Sequence, residues 1–554
     1  MLKKIVFLIV IVLTIYIASG CKNDEVYQFE DFEYTKNFFM KATITGYVGT
    51  DTDVLIPDKI ENRKVTSIGD GAFKDNLDIV TVDIADTVIS IGNQAFSGCL
   101  FLEHVYFSKH LKNIGNEAFS MCVSLDYVEL PDRLVKIGDE VFSDCINLVR
   151  VNIPAGLETI GDKAFFRCLS LKEIIVSPDN NKYLDKDGIL FNKDKTIILL
   201  YPPAKDESDY SFPESVVTVA NGAFAWCDNL RSIELSDNLE TIGNDAFYYC
   251  NKHTLVSSTD NLAHIGDRAF YGCSMLTSFP LRDALISIGD YAFFDCKNML
   301  EFNLPTSLES IGDGAFSGCR SVRKIIISEG VTRIGDDVFH SCVRLQNVTL
   351  PDSLTSIGDY AFYDCSSLRS ISIPEGVENI GDYAFYDCSS LRSISIPEGV
   401  KNIGEYAFYN CSRIEEIVIP ESVTAIGDGT FAWCVSLKNI FLPNGVTSIG
   451  DNAFSNCVEL DCFDWPDDLA YIGNNAFEYC ARLKMINLPD GLIAMGDRAF
   501  YRSRNIESIY MPSSMTSIGQ NVFEDINGIV IIAQRDSLAH TYALENDILF
   551  RLEG

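Results

Sequence analysis

The sequence predicts a repeat solenoid, a curved rod of about 19 stacked 23-residue units with parallel short strands, short helical turns and terminal caps. The dipeptide Ile-Gly, or a close equivalent, recurs every 23 residues, apart from one gap of 59 residues between Ile160 and Val219. The segments 357–377 and 380–400 are identical in all 21 letters. A fixed period of this length is typical of solenoids, in which each unit buries its apolar face against its neighbour.

The unit at residues 357–379 shows the local structure that the repeat predicts. Its residues 368–373 end in an alternation of apolar and polar side chains, which indicates a short strand, and a proline closes most such strands. The spacing of Ala361, Phe362 and Cys365 places these side chains on one side of a single helical turn. Strands of successive units should pair in parallel at about 4.8 Å, which gives a rod on the order of 90 Å long.

Two polar features follow the marker isoleucine. Glycine, such as Gly358, comes next in 18 of 19 units, and either a positive φ or a tight approach to the next rung would require the missing Cβ. The residue after it is Asp in 12 units and Asn in five. A calcium column is one interpretation of these carboxylates. We favour an N-cap that accepts the free N–H groups of the following turn, because Asn caps as well as Asp but lacks the charge.

Sixteen of the 18 cysteines lie eight residues after the marker, in one column of the predicted stack. Parallel side chains keep neighbouring Cβ atoms too far apart for disulfides, and a line of thiols does not converge on one metal ion. We therefore interpret the column as small buried apolar side chains. Cys462 lies off the column, on the outer side of a strand. It is the best candidate for a reactive thiol, although we expect it to be inert.

The first residues predict export and lipid attachment. Lys3 and Lys4 precede a 13-residue apolar core, which is typical of a signal peptide and too short to span a membrane. The segment Ile17–Cys21 resembles a bacterial lipobox, with Ala18 where Leu is usual, and implies that Cys21 is lipidated. Plain secretory cleavage is the alternative. Lipid would be the only membrane attachment, because no other apolar run reaches 18 residues.

The charged residues bear on two questions, the location of the protein and the partners that it excludes. Lys22 and the acidic residues after it resemble the export signal of surface lipoproteins in Bacteroidetes-type bacteria. This implies a lipid-anchored protein of the bacterial envelope on the outer surface, with the periplasmic side or secretion as alternatives. The formal net charge of −34, from 78 acidic and 44 basic residues, argues against nucleic acid and anionic lipid as partners.

The pattern L-x-x-I-x-I-P followed by V-x-x-I-G-x-x-A-F-x-x-C resembles the BspA-type leucine-rich repeat, a bacterial 23-residue class, from about residue 42 to 554. The resemblance implies a leucine-rich-repeat-like rod whose insertion is a hairpin around residues 192–195 and whose C-terminal cap is a short helix with a last strand. The predicted parts are a signal peptide (1–20), a lipid-anchored linker (21–41), an N-terminal cap (42–66), repeats (67–176), the insertion (177–212), further repeats (213–528) and a C-terminal cap (529–554).

No catalytic constellation is recognisable. The six histidines form no metal-binding pair, and the chain contains neither a Gly-rich phosphate loop nor a G-x-S-x-G motif. We therefore expect no catalytic residues, no metal and no cofactor. An enzyme with a site in the insertion at 177–212 is kept as a third alternative.

The duplicated units carry tyrosines opposite the buried side of the predicted turn. The members of this tyrosine ladder are Tyr360, Tyr363, Tyr383, Tyr386, Tyr406 and Tyr409. Tyr suits contact surfaces because it combines a large ring with a polar tip and little rotamer entropy. The ladder is therefore the candidate ligand-binding site. The alternative is that recent duplication copied a favoured residue.

Members of the BspA-type family are associated with attachment to host matrix proteins and to other bacteria. The resemblance therefore implies a monomeric cell-surface binding lipoprotein, adhesin-like, that engages host matrix or bacterial surface proteins, or glycans, through extended solenoid faces. The alternative is a glycan-capture or envelope scaffold protein without an adhesin role.

Overall fold

The computed structural model describes residues 25–257 and 259–553, without the side chains of Leu255 and Cys462. The predicted signal peptide and the predicted lipidation site Cys21 therefore lie outside the described residues. The side chain of Cys462, the candidate reactive thiol, also lies outside them. The chain divides into two compact units, Met1–Asp206 and Glu207–Gly554. Each unit is a stack of solenoid turns whose short strands pair in parallel, so the predicted solenoid class is confirmed.

The first unit is built from two columns of strands and a hairpin insertion. Its outer column comprises Asp53–Ile56, Thr81–Ile84, His104–Tyr106, Tyr127–Glu129, Arg150–Ile153 and Glu173–Val176. Its second column comprises Lys41–Tyr47, Arg63–Ile68, Ser90–Ile91, Asn113–Ile114, Lys136–Ile137 and Thr159–Ile160. The remaining strands are Tyr27–Phe29, Phe32–Lys36 and Lys59–Ile60 in the cap, and Tyr183–Lys186, Ile189–Asn192 and Ile197–Leu200 in the insertion.

The second unit repeats the two columns. Its outer column comprises Asp209–Ser211, Ser232–Glu234, Leu255–Val256, Phe302–Asn303, Lys324–Ile326, Asn347–Thr349, Ser370–Ser372, Ser393–Ser395, Glu416–Val418, Asn439–Phe441, Cys462–Phe463, Met485–Asn487, Ser508–Tyr510, Val530–Ala533 and Leu549–Leu552. Its second column comprises Thr218–Val219, Thr241–Ile242, His264–Ile265, Ser287–Ile288, Ser310–Ile311, Arg333–Ile334, Ser356–Ile357, Asn379–Ile380, Asn402–Ile403, Ala425–Ile426, Ser448–Ile449, Tyr471–Ile472, Ala494–Met495 and Ser517–Ile518.

Pairing in both columns advances by one repeat. Ser370 lies opposite Ser393 in the outer column, and Ile357 lies opposite Ile380 in the second. The outer strands are those that the alternating pattern predicts. The second column coincides with the Ile-Gly marker, and the sequence analysis did not recognise it as strand.

The caps continue the stack, which explains why the structure has about 22 turns, slightly more than the 19 predicted. Lys41–Tyr47 pairs in parallel with Arg63–Ile68, and Leu549–Leu552 with Val530–Ala533. Strands begin at Tyr27, within the segment predicted as a linker, so the N-terminal cap starts earlier than residue 42.

The insertion and the C-terminal cap have the local structure that the sequence indicates. Within the insertion, Ile189–Asn192 and Ile197–Leu200 pair antiparallel around residues 193–196, and Tyr183–Lys186 adds a further antiparallel strand. The C-terminal cap contains the helix Leu538–Glu545, whose first turn is capped by the Ser537 hydroxyl. No helix within the described ranges has the length and apolar character needed to cross a membrane.

The turn of each unit differs from the predicted helical turn. Tyr360 and Asp364 adopt φ of 55° and 53°, and the equivalent two residues have positive φ in all 19 units. The N–H groups of residues 360, 362 and 364 consequently donate to carbonyls of the next rung, each at 2.8 Å. These bonds offset a cost of about 1 kcal/mol or more per non-glycine residue in this region. Ala361, Phe362 and Cys365 are nevertheless buried as predicted.

The glycine of the marker is explained by a tight approach between rungs. A Cβ on Gly358 would lie 2.7 Å from the carbonyl carbon of Gly335 in the preceding rung, and Gly358 does not have a positive φ. Of the two explanations that the sequence left open, the structure therefore selects close packing of backbones.

The acidic column bridges rungs. The Asp359 N–H donates to Asp336 Oδ1 at 3.0 Å, and the Asp382 N–H donates to Asp359 Oδ1 at 2.8 Å. Asn93 accepts in the same way from the Asn116 N–H at 2.8 Å. The predicted cap on the residue's own turn is therefore wrong, because the side chain serves the next rung instead. Across the described ranges, no group of three or more side chains could hold a metal ion.

This bridge can be tested with two substitutions at one position. We expect Asp359→Ala to lower the free energy of unfolding by about 1 kcal/mol, because the Asp382 N–H loses its acceptor. Asp359→Asn keeps an amide oxygen in place and should cost less than half as much. Urea denaturation followed by circular dichroism measures both. Equal losses for the two variants would show that charge, rather than the hydrogen bond, matters.

The cysteine column is buried and its thiols are free, as predicted for 16 residues. Thiols of the column also act as donors to a neighbouring rung, which the sequence analysis missed: Cys365 Sγ donates to the Phe339 carbonyl at 3.2 Å. Ser503 replaces cysteine near the C-terminal end and donates to the Phe477 carbonyl at 2.7 Å. Burial raises the pKa of the Cys365 thiol well above its ordinary value, which keeps it protonated and unreactive.

Candidate functional site

The tyrosine ladder forms two stacked columns in the second unit. The rings of Tyr360, Tyr383 and Tyr406 are separated by 4.8 and 5.0 Å between centroids, with interplanar angles of 2° and 9°. The rings of Tyr363, Tyr386 and Tyr409 are separated by 4.7 and 4.4 Å, with angles of 4° and 6°. Adjacent rings of the two columns lie 5.7–6.1 Å apart. The six predicted side chains therefore form one aromatic surface.

The backbone of the turn places these rings outward. Tyr360, Tyr383 and Tyr406 occupy the first positive-φ position, and their N–H groups are tied to the next rung at 2.8–2.9 Å. The first column ends at Gly429, which takes the equivalent position and lies beneath the ring of Tyr406. The duplicated sequence thus creates the ladder, and a glycine terminates it.

The ladder is partly exposed and uncharged. Tyr360 is 37% exposed, and the other five rings are half-buried against one another. Burial, together with the neighbouring Tyr409 and Asp387, raises the pKa of Tyr386 to about 12. The Tyr386 hydroxyl therefore stays protonated at physiological pH and can donate a hydrogen bond to a ligand.

A second aromatic column lies earlier in the same unit. Tyr248 and Tyr271 stack at 5.0 Å, and Tyr271 and Phe294 at 4.5 Å. Trp226 packs edge-on against Tyr248 at 5.1 Å. The same repeat position therefore supports aromatic stacking outside the duplicated rungs.

The outer strand face of the duplicated rungs carries a cationic groove of about 520 Å³, here called the arginine groove. Its chemistry comes from Arg369, Arg392 and Arg413, with serine hydroxyls such as Ser370 and Ser393 between them. All three arginines are exposed, and no carboxylate in the described ranges lies within ion-pairing distance of them. The sequence analysis did not identify this groove, because Arg413 belongs to a different repeat position from Arg369 and Arg392.

The first unit carries a cleft of about 1070 Å³, which the sequence analysis did not predict. It lies where the strands His104–Tyr106 and Tyr127–Glu129 are left unpaired in the described sheets. Phe107 lines the cleft, stands at a repeat position that other units mostly fill with Ile or Leu, and packs edge-on against Phe119 at 5.6 Å. A phenylalanine at this repeat position is the signal that could have indicated it.

These features define a leucine-rich-repeat solenoid, a class of scaffold that typically binds ligands through extended faces rather than catalysing reactions. The family model described as the BspA type leucine rich repeat region (6 copies) matches residues 66–194, 206–323, 286–415 and 401–530. The chain belongs to the BspA-type leucine-rich repeat family, and the family model indicates no catalytic activity.

Several solved structures are similar to this chain. A leucine rich cell surface protein from Faecalibacterium prausnitzii is 24% identical, covering 59% of this chain and 94% of that one, with a TM-score of 0.38. A leucine-rich repeat protein from Bacteroides ovatus is 21% identical, covering 95% and 100%, with a TM-score of 0.38. The pneumococcal vaccine antigen PcpA is 21% identical, covering 69% and 98%, with a TM-score of 0.45. No curated protein matches the sequence significantly.

Proposed function

We propose that the protein is a cell-surface binding lipoprotein, adhesin-like and monomeric, that is anchored through Cys21 and binds a protein ligand through the tyrosine ladder. Host matrix proteins and surface proteins of other bacteria are the proposed partners. Membership of the BspA-type family supports this class of function. The lipobox-like segment that ends at Cys21 supports the anchor.

The tyrosine ladder is the observation that carries the proposal. Six stacked rings offer a continuous apolar surface with a row of hydroxyl donors. Their backbone is fixed by hydrogen bonds between rungs, so a ligand would order few groups on binding. Rigid aromatic side chains are frequent energetic centres of protein interfaces.

The arginine groove favours a second candidate function, the capture of an acidic glycan. Three unpaired guanidinium groups on a chain with net charge −34 concentrate positive potential on one strand face. The nearest acidic neighbour along the stack, Glu415, is already paired with Lys438 at 2.7 Å. Serine hydroxyls between the arginines suit the hydroxyl groups of a sugar chain. Guanidinium groups bind carboxylate and sulfate oxygens in a bidentate manner.

A binding screen tests both candidates. The chain from residue 21 with Cys21→Ser would be measured against fibronectin, fibrinogen and a glycan array. We expect Tyr→Ser at all six ladder positions to weaken binding of a protein ligand at least tenfold, since each hot-spot aromatic contributes about 2 kcal/mol. Tyr471→Ser, an exposed tyrosine outside the ladder, should leave affinity unchanged. Tyr→Phe at the six positions keeps the stacking and isolates the hydroxyls.

The outcomes separate the candidates. Unchanged affinity in a correctly folded six-serine variant would retire the ladder as the site. A glycan hit without a protein hit, lost on Arg369→Ser and Arg392→Ser, would favour the second function. Protease treatment of intact cells, with mass analysis of the N-terminal peptide, tests surface display and the lipid on Cys21.

A further inference from the structure

The N-terminal cap ends in a turn with three consecutive exposed apolar side chains. Phe38 is 91% exposed, Phe39 79% and Met40 53%. We call residues 37–40 the cap tip. Phe38 and Phe39 are the two most exposed large apolar side chains of the described residues, and exposed apolar patches commonly mark interaction sites.

The exposure of the cap tip is built into its backbone. Asn37 Oδ1 accepts the N–H groups of Phe39 at 3.0 Å and Lys41 at 3.2 Å, and the Asn37 N–H donates to the Lys41 carbonyl at 3.1 Å. Arg63 supports the turn from the next rung by donating to the Asn37 carbonyl at 3.4 Å. The turn therefore holds the two phenyl rings, which pack edge-on at 5.9 Å, away from the core.

The surroundings of the cap tip are basic. The segments 36–41 and 58–64, which flank it, contain five basic residues against Asp58 and Glu61. Glu25 is a third nearby carboxylate, since it accepts from the Tyr27 hydroxyl and the Tyr27 ring lies beside Lys36. The two segments are a local exception to the net charge of −34, which argues against anionic lipid as a partner for the chain as a whole. Aromatic side chains ringed by basic ones are typical of elements that lie in the interface of a membrane with anionic headgroups.

The cap tip lies at the end of the sheet from which the chain leads to Cys21. Tyr27 pairs with Tyr34 in antiparallel register, so the chain preceding Tyr27 runs along Lys36, next to the tip. The Lys36 ammonium lies 3.5 Å from the centroid of the Tyr27 ring, which confirms this proximity. Four residue steps separate Glu25 from Cys21, a reach of at most about 14 Å. A lipid on Cys21 would therefore bring the cap tip to the bilayer.

We infer that the cap tip is a membrane-contact element, in which Phe38 and Phe39 enter the headgroup region of an anionic bilayer and the surrounding Lys and Arg side chains contact lipid phosphates. The inference deepens the proposed function and rests on its lipid anchor for orientation. The contact supplies a second attachment beside the lipid and fixes the angle at which the first unit leaves the membrane. A single acyl chain gives only marginal membrane binding, and a second acyl chain or a basic patch stabilises it.

Vesicle flotation tests the inference without the lipid. The chain from residue 21 with Cys21→Ser would be mixed with vesicles of equal parts phosphatidylcholine and phosphatidylglycerol, and with vesicles of phosphatidylcholine alone. We expect binding to the anionic vesicles that weakens with added salt. The double variant Phe38→Ser, Phe39→Ser should bind roughly tenfold less, because it removes the apolar area that would enter the interface. Met485→Ser, which removes an exposed apolar side chain from a strand of the second unit, is the matched control and should bind as the parent does.

Three results would overturn the inference. The parent chain could fail to float with anionic vesicles, or the double variant could float equally well. Sedimentation analysis could also show that the parent chain is a dimer and that the double variant is a monomer. The cap tip would then contact a second copy of the chain instead of a membrane. Mass analysis of the N-terminal peptide reports lipid attachment separately. If that peptide carries no lipid but the Cys21→Ser chain still floats with anionic vesicles, the lipid anchor is refuted and the membrane contact of the cap tip is not.

Discussion

Gly381→Ala should destabilise the second unit by about 3 kcal/mol, the upper part of the range for overpacked sites. A Cβ on Gly381 would lie 2.6 Å from both Asp359 N and the Gly358 carbonyl carbon of the preceding rung. The Cβ would also contact the Asp359 carboxylate, which can rotate away, but the two backbone atoms cannot move aside. The rungs would have to separate, and the hydrogen bonds between their turns would lengthen. The midpoint of urea unfolding, followed by circular dichroism, measures the loss.

Gly445→Ala is the matched control within the same unit. A Cβ there would meet no atom within 4 Å, and Gly445 does not have a positive φ. We expect a change of no more than about 0.4–1 kcal/mol, in the stabilising direction, because alanine restricts the unfolded chain. Similar losses in the two variants would show that close packing of rungs does not explain the glycine of the marker.

His253→Leu should stabilise the second unit by about 1–3 kcal/mol, the cost of a buried polar group without a hydrogen bond. His253 is 1% exposed at a position that other units fill with leucine, such as Leu230 and Leu276. Neither ring nitrogen makes a hydrogen bond of standard geometry with the described residues, although the backbone of Cys227 interacts with the ring. Leucine restores the apolar contact and removes both unsatisfied atoms. Urea unfolding at neutral pH measures the gain.

The same histidine makes stability depend on pH. Burial lowers the pKa of His253 to about 4, although the backbone of Cys227 opposes the shift. The unfolded chain, with a histidine pKa of about 6.5, binds the proton more tightly between these values, so stability falls as the pH is lowered through this window. The loss is on the order of 3 kcal/mol at pH 4.

Unfolding measured from pH 7 to pH 4 should show a smaller slope in His253→Leu than in the parent chain. His264→Leu replaces an exposed histidine and serves as the control, which should retain the parent slope. An identical slope in the parent chain and His253→Leu would show that carboxylates alone govern the acid sensitivity.

The candidate binding surfaces show which side-chain arrangements the 23-residue repeat predicts and which it does not. A fixed register of 23 residues places Tyr360 beside Tyr383, and Arg369 beside Arg392, so sequence alone predicts these columns. It does not predict that Arg413 joins the arginine groove, because that side chain reaches across from another repeat position. The cap tip was not predicted, because residues 21–41 lie outside the repeat and the repeat pattern therefore predicts nothing about their conformation.

The sequence by itself determined the solenoid class, the buried alanine, phenylalanine and cysteine columns, and the outward tyrosines, because identical units that bury one face can satisfy it only by stacking. Only the tertiary structure decided the backbone of the turn and the role of its polar residues. Tyr360 and Asp364 take positive φ, and Asp359 serves the following rung, because their hydrogen-bonding partners lie one full repeat away. Local spacing favours a helical turn, and hydrogen bonding between rungs overrides that preference.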